Sequence, residues 1–183
     1  MTSNHYFIAI KFDNNIKKWI YDQQAKIKSS QLPYQIWVHE EDFHVTLQFL
    51  GELSEEKKSI LSKDLDQLEN FPSFKMMLSG MNRFGKTNQP RVLWVEVENT
   101  NILNDLHDRV QTICKKNDFP IDHRVFTPHV TIAKKWKDKN EYLTENLTPT
   151  LEEASTIINE IALYRINPTA AVKYIPEKIV TLR

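Results

Sequence analysis

A short motif that contains one histidine and one threonine occurs twice in this chain of 183 residues. His44-Val45-Thr46-Leu47 returns 85 positions later (129 − 44 = 85) as His129-Val130-Thr131-Ile132. Alternate side chains of a β-strand point to the same face, so the histidine and the threonine of each copy share one face. Two such strands lying side by side would form one site with two imidazoles and two hydroxyls.

Two imidazoles near one phosphorus atom can carry out a displacement without a metal ion. An imidazole titrates near pH 6.5, so one histidine can act as general base while the other acts as general acid. The hydroxyls of Thr46 and Thr131 can donate hydrogen bonds to phosphate oxygens, and Lys134 can offset negative charge that develops there. The pattern predicts a phosphodiesterase with His44 and His129 as catalytic residues, with no metal and no other cofactor.

The same residue types also have structural interpretations. A single His-x-Thr segment is common by chance on the solvated face of a strand. His39-Glu40 followed by His44 is similar to a zinc-binding HExxH helix, but that spacing requires a histidine where the chain has Phe43. The lysine cluster that begins at Lys134 is either a solvated charge run or an RNA contact. The histidines without a partner pattern are predicted to be surface residues: His5, His107 and His123.

Composition limits the classes of function. The chain has 24 acidic and 24 basic side chains, so binding of nucleic acid through an overall positive field is not expected, and any RNA contact must be local. Cys114 is the one cysteine, which predicts a core residue and a reducing, cytoplasmic environment without internal disulfides. The apolar run at 6–12 is too short to span a membrane. We expect a soluble monomer in which residues 1–183 fold as a single two-lobed unit.

The first half of the chain predicts three strands and two helices. An apolar strand at 6–12 precedes a helix that Asp13 or Asn14 can cap. A short apolar run at 36–38 leads to the first motif strand, which ends at Gly51. The side chains assigned to the core face of this motif strand are Val45, Leu47 and Phe49.

A second helix, capped by Ser54, follows the first motif strand. Residues 74–79 are then predicted to form a strand, residues 80–90 a polar loop, and residues 92–97 another strand. The predicted buried stripe of the second helix is Ile60, Leu61, Leu65 and Leu68.

The second half repeats this order. Asn99 or Thr100 can cap a third helix, which has the most regular helical period in the chain. The second motif strand comes next, residues 134–155 are predicted to be an exposed loop, and strands at 157–166 and 173–182 complete the chain. The repeated order predicts an α+β, bilobal fold: two pseudo-twofold-related lobes, with antiparallel sheets lining a central cleft and helices outside.

The segments around both motifs resemble those of the two-histidine phosphoesterases, and within them the bacterial RNA 2',3'-cyclic phosphodiesterases, also called 2'-5' RNA ligases. The resemblance extends over nearly the whole chain and includes a proline, Pro128, before the second histidine. The other segments that carry it are Tyr6-Phe7-Ile8-Ala9-Ile10, Phe49-Leu50-Gly51-Glu52 after the first motif, Pro90-Arg91-Val92-Leu93-Trp94, and Arg124-Val125-Phe126-Thr127.

The resemblance implies a metal-free enzyme that hydrolyses the 2',3'-cyclic phosphate of an RNA end, or of a small cyclic nucleotide, to a 2'-phosphate. It also implies roles for Phe12, Arg124 and Tyr174 in holding a nucleotide. The family often has an arginine shortly after the second motif, whereas this chain has Lys134, which keeps the charge but loses the bidentate fork. Phosphate affinity or substrate preference is therefore expected to differ.

Near-identity of the two motifs leaves the direction of catalysis open. We first assign His129 as the base and His44 as the acid, and the reverse assignment uses the same pattern. Two rival functions also remain open at this stage. One is reversible 2'-5' RNA ligation by the same residues, and the other is noncatalytic binding of RNA ends.

Overall fold

The computed structural model describes residues 4–137 and 152–183. Within these residues the helices are α1 (Asn14–Lys28), α2 (Glu55–Leu65) and α3 (Asn101–Lys116), and single 3-10 turns lie at Glu40–Asp42 and Asp66–Asn70. The strands are β1 (His5–Lys11), β2 (Tyr34–Trp37), β3 (His44–Glu52), β4 (Phe74–Lys86), β5 (Gln89–Val97), β6 (His129–Trp136), β7 (Ala154–Ile158), β8 (Glu160–Ile166) and β9 (Tyr174–Thr181).

Each helix begins at a side-chain cap that the sequence indicates. The side chains of Asp13, Ser54 and Thr100 accept hydrogen bonds from backbone N–H groups in the first turns of α1, α2 and α3. Such caps satisfy donors that have no partner within the helix. The two open choices are thereby decided in favour of Asp13 and Thr100.

Two antiparallel sheets have matching strand orders. The first sheet runs β3-β1-β8-β9, and the second runs β2-β6-β5-β4-β7. In each sheet the motif strand pairs with the strand that precedes a helix, which is β1 for β3 and β5 for β6. The order β3-β1-β8-β9 therefore corresponds to β6-β5-β4-β7, and β2 extends the second sheet beyond β6. The predicted α+β fold with antiparallel sheets is confirmed, and its repeat is visible in the topology.

One apolar cluster connects both sheets with the helices. Ile8 and Val45 of the first sheet, Val130 of the second sheet and Leu106 of α3 are fully buried in it. Cys114 belongs to the same cluster, and burial raises the pKa of its thiol to about 12. The predicted core role of this cysteine is confirmed, and the sheets are held together by shared burial of apolar surface.

The segment at 80–90 is a β-hairpin, not the predicted polar loop. β4 continues to Lys86, β5 already begins at Gln89, and Phe84 pairs with Val92 across the ladder. This end of the hairpin is largely exposed. Its polar residues therefore indicated contact with solvent rather than the absence of a strand.

The predicted strand at 157–166 is in fact two strands that belong to different sheets. β7 pairs with β4, whereas β8 pairs with β1, and Asn159 separates them. Neighbouring apolar residues gave no local sign of this break, because the change of sheet depends on distant partner strands. β6 extends through Trp136, so the exposed loop predicted at 134–155 begins later, and its remaining part at 138–151 lies outside the described residues.

The buried stripe of α2 is narrower than predicted. Leu61 and Leu65 are buried, as is Leu68 in the 3-10 turn that follows, but Ile60 is 47% exposed. Ile60 lies at the edge of the stripe, where a small rotation of the helix decides between core and solvent. Among the described residues, no helix combines the length and the apolar character needed to cross a bilayer.

Gly85 permits the close approach of the two strands at the end of the β4–β5 hairpin. Its φ angle is +105°, and a Cβ atom at this position would lie 2.9 Å from the backbone nitrogen of Arg91. We expect Gly85→Ala to lower the free energy of unfolding by about 1–3 kcal/mol, measured by urea denaturation. Gly51→Ala is the matched control, because its φ is +74° but no atom lies within 4 Å of the added Cβ. Equal losses in both variants would contradict the steric explanation.

Candidate active site

Each motif histidine is the first residue of its strand and is oriented by the carbonyl group two residues before it. Nδ1 of His44 lies 2.7 Å from the carbonyl oxygen of Asp42, and Nδ1 of His129 lies 2.7 Å from that of Thr127. A carbonyl oxygen can only accept a hydrogen bond, so Nδ1 carries the proton in both rings. Nε2 of each ring is therefore the atom available for proton transfer with a substrate.

The threonines occupy equivalent positions on the two strands. The hydroxyl Oγ1 of Thr46 donates to Nε2 of His44 across 3.0 Å, which agrees with a lone pair on that nitrogen. Thr131 lies two residues after His129 and is partly exposed, between the buried residues Val130 and Ile132. Both strands thus present a histidine and a threonine on the face opposite the main core, as the alternation predicts.

Aromatic rings enclose both imidazoles. Two rings lie near each imidazole, at centroid distances of 4.9 to 5.5 Å: Phe7 and Tyr174 at His44, and Phe84 and Trp94 at His129. These rings limit the orientations open to the imidazoles and reduce their exposure to solvent, so both are partly buried. Burial of this kind disfavours the charged form of histidine.

Both imidazoles are held in the neutral form near pH 7. Burial lowers the pKa of His44 to about 4, and the positive charges of His129 and Lys134 act in the same direction against the hydrogen bond to Asp42. Burial also lowers the pKa of His129, opposed by the hydrogen bond to Thr127. The strands that carry the two rings, β3 and β6, also contact each other.

Lys134 is half-buried and contributes positive charge beside His44. Burial lowers the pKa of Lys134, the charge of Lys173 acts in the same direction, and the carboxylate of Asp42 opposes both. A cation in this position can bind an anionic oxygen of a phosphate group.

Both motif strands contain one extra residue directly after the threonine. In the pairing of β3 with β1 the register skips Leu47, and in the pairing of β6 with β5 it skips Ile132. After a β-bulge of this type the alternation of faces resumes one residue later. The third residue on the open face of each strand is therefore the fifth after the histidine, which is Phe49 in β3 and Lys134 in β6.

The bulge corrects the predicted core face of β3. Phe49, predicted to be buried, is 52% exposed, and the neighbouring Gln48 is 4% exposed instead. The side chain of Gln48 donates to the carbonyl groups of Phe49 and Pro120, and its Oε1 accepts a hydrogen bond from Gln111 of α3. These hydrogen bonds satisfy the buried amide, so the exchange of faces is stable.

A cleft of about 810 Å³ extends from His129 and Thr46 along β3 and the β4–β5 hairpin. Thr46 and His129 lie in its wall together with Phe84, which places the second sheet and the first motif strand at the same opening. The cleft is also lined by Phe49, Arg91, Arg124, His107 and Phe126.

The three residues for which the family resemblance implies contact with a nucleotide have different positions in the structure. Tyr174 contacts His44, as described above, and Arg124 lines the cleft, where it forms an ion pair with Asp122. Phe12 is 2% exposed and belongs to the main core. We therefore remove Phe12 from the proposed substrate-binding residues, because an aromatic side chain at the end of a strand is packed here against the helices and sheets.

Asp42 is a site residue that sequence reasoning missed. Its buried carboxylate accepts hydrogen bonds from the backbone N–H groups of Lys173 and Tyr174 at 3.0 Å, while its own carbonyl group orients His44. One residue thus positions both His44 and the tyrosine that packs on it. An acidic residue two positions before the motif is visible in the sequence, but its partners are more than 130 positions away.

His107 is also placed differently from its prediction. Its side chain is 14% exposed, and its ring stacks on Phe126 with centroids 4.0 Å apart and an interplanar angle of 12°. Burial lowers the pKa of His107. His107 lies at the cleft rather than on the open surface because α3 packs against the segment that leads into β6. His123, in contrast, is exposed as predicted.

Comparison with known proteins places this chain in a defined family. The family model of the 2'-5' RNA ligase superfamily matches residues 19–169. An RNA 2',3'-cyclic phosphodiesterase of Geobacillus stearothermophilus is 37% identical over 177 residues, which cover 95% of this chain and 56% of that protein. One of Thermotoga maritima is 35% identical over 152 residues, covering 81% and 80%.

A solved structure has the same fold. The crystal structure of E. coli LigT complexed with 3'-AMP superposes with a TM-score of 0.81 at 23% identity and covers 98% of both chains. With the family model matching most of the sequence, the chain belongs to the 2'-5' RNA ligase superfamily. It spans little more than half, 56%, of the length of its Geobacillus relative.

The low pKa of His44 makes the stability of the protein depend on pH. The unfolded chain has a histidine pKa of about 6.5. Between this value and the folded-state pKa of about 4, the unfolded state binds more protons at this position. The free energy of unfolding therefore falls as the pH is lowered through this range, with a slope from one group of at most about 1.4 kcal/mol per pH unit. We expect His44→Gln to flatten this dependence in urea unfolding measured from pH 7 to pH 4.

His123→Gln is the matched control for this measurement, because His123 is exposed and lies outside both motif strands. We expect this variant to keep the pH dependence of the wild type. An unchanged slope in His44→Gln would contradict the assignment of a partly buried, neutral imidazole at position 44.

Proposed function

We propose that this protein hydrolyses the 2',3'-cyclic phosphate of an RNA end to a 2'-phosphate, with His44 and His129 as the acid–base pair. The observation that carries the proposal is the matched orientation of the imidazoles. In each ring a backbone carbonyl holds Nδ1 as a donor, which leaves Nε2 to exchange protons. The names of the Geobacillus and Thermotoga relatives support the choice of substrate.

The reaction consumes one water molecule. One neutral imidazole accepts a proton from water while the water oxygen forms a bond to phosphorus. The bond between phosphorus and the 3'-oxygen breaks, and the second histidine, protonated in the substrate complex, donates its proton to that oxygen. The products are a 2'-phosphomonoester and a free 3'-hydroxyl group, and the two histidines have exchanged protonation states.

Five other residues complete the proposed site. The hydroxyls of Thr46 and Thr131 donate hydrogen bonds to the non-bridging oxygens, and the ammonium group of Lys134 offsets their charge. A bound phosphate anion also raises the pKa of a nearby imidazole, which allows one histidine to be protonated near neutral pH. Arg124 and Tyr174 contact the nucleotide, with Tyr174 already packed at the edge of His44.

Replacement of either histidine should remove catalysis without removing the fold. We expect His44→Ala and His129→Ala each to lower kcat/KM by about 10²- to 10⁴-fold, because each loses one proton-transfer step. The assay uses an oligoribonucleotide that ends in a 2',3'-cyclic phosphate and reads the position of the product phosphate. A noncatalytic binding module would instead show no turnover in the wild type and would keep its affinity in both variants.

The same assay tests the prediction of metal independence. We expect full activity after dialysis against a chelator, and loss of activity that returns with added metal would contradict it. Activity that persists in both alanine variants would overturn the acid–base proposal.

Electrostatics around His44 favour one direction of proton transfer. The charge of Lys134 acts on His44 and opposes its protonation. This favours His44 as the base and His129 as the acid, the reverse of the assignment that we took first from the sequence. Both histidines remain the proposed catalytic residues, and the charge of Lys134 is the reason for proposing His44 as the base.

A substrate with a better leaving group separates the two assignments. When sulfur replaces the 3'-oxygen of the cyclic phosphate, the thiolate can leave without a proton, so the acid is no longer needed. We expect this analogue to restore much of the rate of His129→Ala and little of the rate of His44→Ala. Restoration of His44→Ala alone would establish the opposite direction.

Reversible 2'-5' RNA ligation is a second candidate, favoured by the description of the family model. It would use the same two histidines and is distinguished by the joining of two RNA halves under conditions that suppress hydrolysis. We further propose that the chain acts as a monomeric, single two-lobed unit in the cytoplasm. Size-exclusion chromatography with light scattering tests the monomeric state.

A further inference from the structure

Phe49 is a large apolar side chain whose exposure is unfavourable for folding. It is 52% exposed, whereas the adjacent Gln48 is 4% exposed. The hydrophobic effect favours the opposite arrangement, with the phenyl ring buried and the amide in water. The hydrogen bonds of Gln48 to Phe49, Pro120 and Gln111 hold the exchanged arrangement in place. The β-bulge and the hydrogen bonds of Gln48 thus keep the ring of Phe49 exposed, and an aromatic surface kept exposed at such a cost indicates a binding role.

The pseudo-twofold relation gives Phe49 a counterpart in the second motif strand. The bulges after Thr46 and Thr131 make Phe49 and Lys134 the third residues on the open faces of β3 and β6. Lys134 offers a cation to a phosphate oxygen, whereas Phe49 offers a flat aromatic surface. The two equivalent positions therefore provide different chemistry, and the position on β3 suits a nucleobase rather than a phosphate.

Phe49 lies farther along β3 from His44 than Thr46 does. Thr46 pairs with Ala9 and Phe49 pairs with Phe7, two residues apart on β1. At about 3.3 Å per residue this separation is about 7 Å along the strand. The cleft is continuous from Thr46 to Phe49 and is also lined by Arg91 and Arg124.

We propose that Phe49 stacks on the base of the nucleotide next to the one that carries the cyclic phosphate. The proposal rests on the proposed function and adds a preference: RNA ends of two or more nucleotides are better substrates than a cyclic mononucleotide. The phosphodiester between the two nucleotides would lie in the part of the cleft lined by Arg91 and the Arg124–Asp122 ion pair, where Arg91 adds positive charge beyond that pair. A mononucleotide has no second base to place on Phe49.

The preference is measured as the ratio of two values of kcat/KM. The substrates are the dinucleotide ApA with a terminal 2',3'-cyclic phosphate and adenosine 2',3'-cyclic phosphate. We expect the wild type to prefer the dinucleotide, and Phe49→Ala to lower the ratio roughly 5- to 150-fold, the effect of losing one base–aromatic stack. Phe49→Trp keeps a stacking surface and should retain most of the ratio.

Tyr21→Ala is the matched control, because Tyr21 is an aromatic residue that is 45% exposed on α1. We expect this variant to keep the ratio of the wild type. Thermal unfolding of all three variants verifies that they are folded, and since Phe49 is exposed, Phe49→Ala should unfold near the temperature of the wild type.

An abasic substrate identifies which base is stacked. Removal of the 5' base of ApA should reduce kcat/KM for the wild type but have little further effect in Phe49→Ala, because the two changes remove the same contact. Independent, multiplicative effects of the two changes would overturn the proposal, as would an unchanged ratio in Phe49→Ala. If either of these outcomes is found while the wild type hydrolyses both substrates, the stacking proposal is wrong but the proposed function is not contradicted. A wild type that hydrolyses neither overturns the proposed function and this inference together.

Discussion

The hydrogen bond from each imidazole Nδ1 to the carbonyl oxygen two residues earlier is the constraint on which the site depends. It selects the tautomer of both histidines and directs Nε2 away from the backbone. The carbonyl belongs to the segment directly before the strand. The backbone conformation at the start of the strand therefore also fixes the orientation of the ring. At His44 the arrangement is reinforced by Asp42, whose side chain also holds Tyr174 against the ring. Both imidazoles are thereby partly buried among aromatic residues, and this burial favours their neutral form.

The two β-bulges determine what else reaches the cleft. By adding one residue after each threonine they present Phe49 from one sheet and Lys134 from the other. Without the bulges, strict alternation would place Gln48 and Ala133 on the open faces. The surface near the histidines therefore contains an aromatic ring and an ammonium group although the chain as a whole has no net charge.

Much of the fold follows from local patterns in the sequence. The helix caps at Asp13, Ser54 and Thr100 and the apolar period of α3 are properties of neighbouring residues, and the structure confirms them. The β4–β5 hairpin and the separation of β7 from β8 were not predicted. Polarity reports contact with solvent rather than backbone conformation, and the sheet to which a strand belongs depends on partners that are distant in sequence.

The sequence by itself determined that two histidines and two threonines lie on the open faces of two strands, because alternation of side chains is a local property of an extended backbone. Only the tertiary structure decided that Phe12 is packed in the core, that His107 stacks on Phe126, and that Phe49 faces the cleft. Each of these outcomes depends on which element covers a side chain and on the register between strands. A register shift of one residue exchanges the two faces of a strand, and no pattern within the strand alone records that shift.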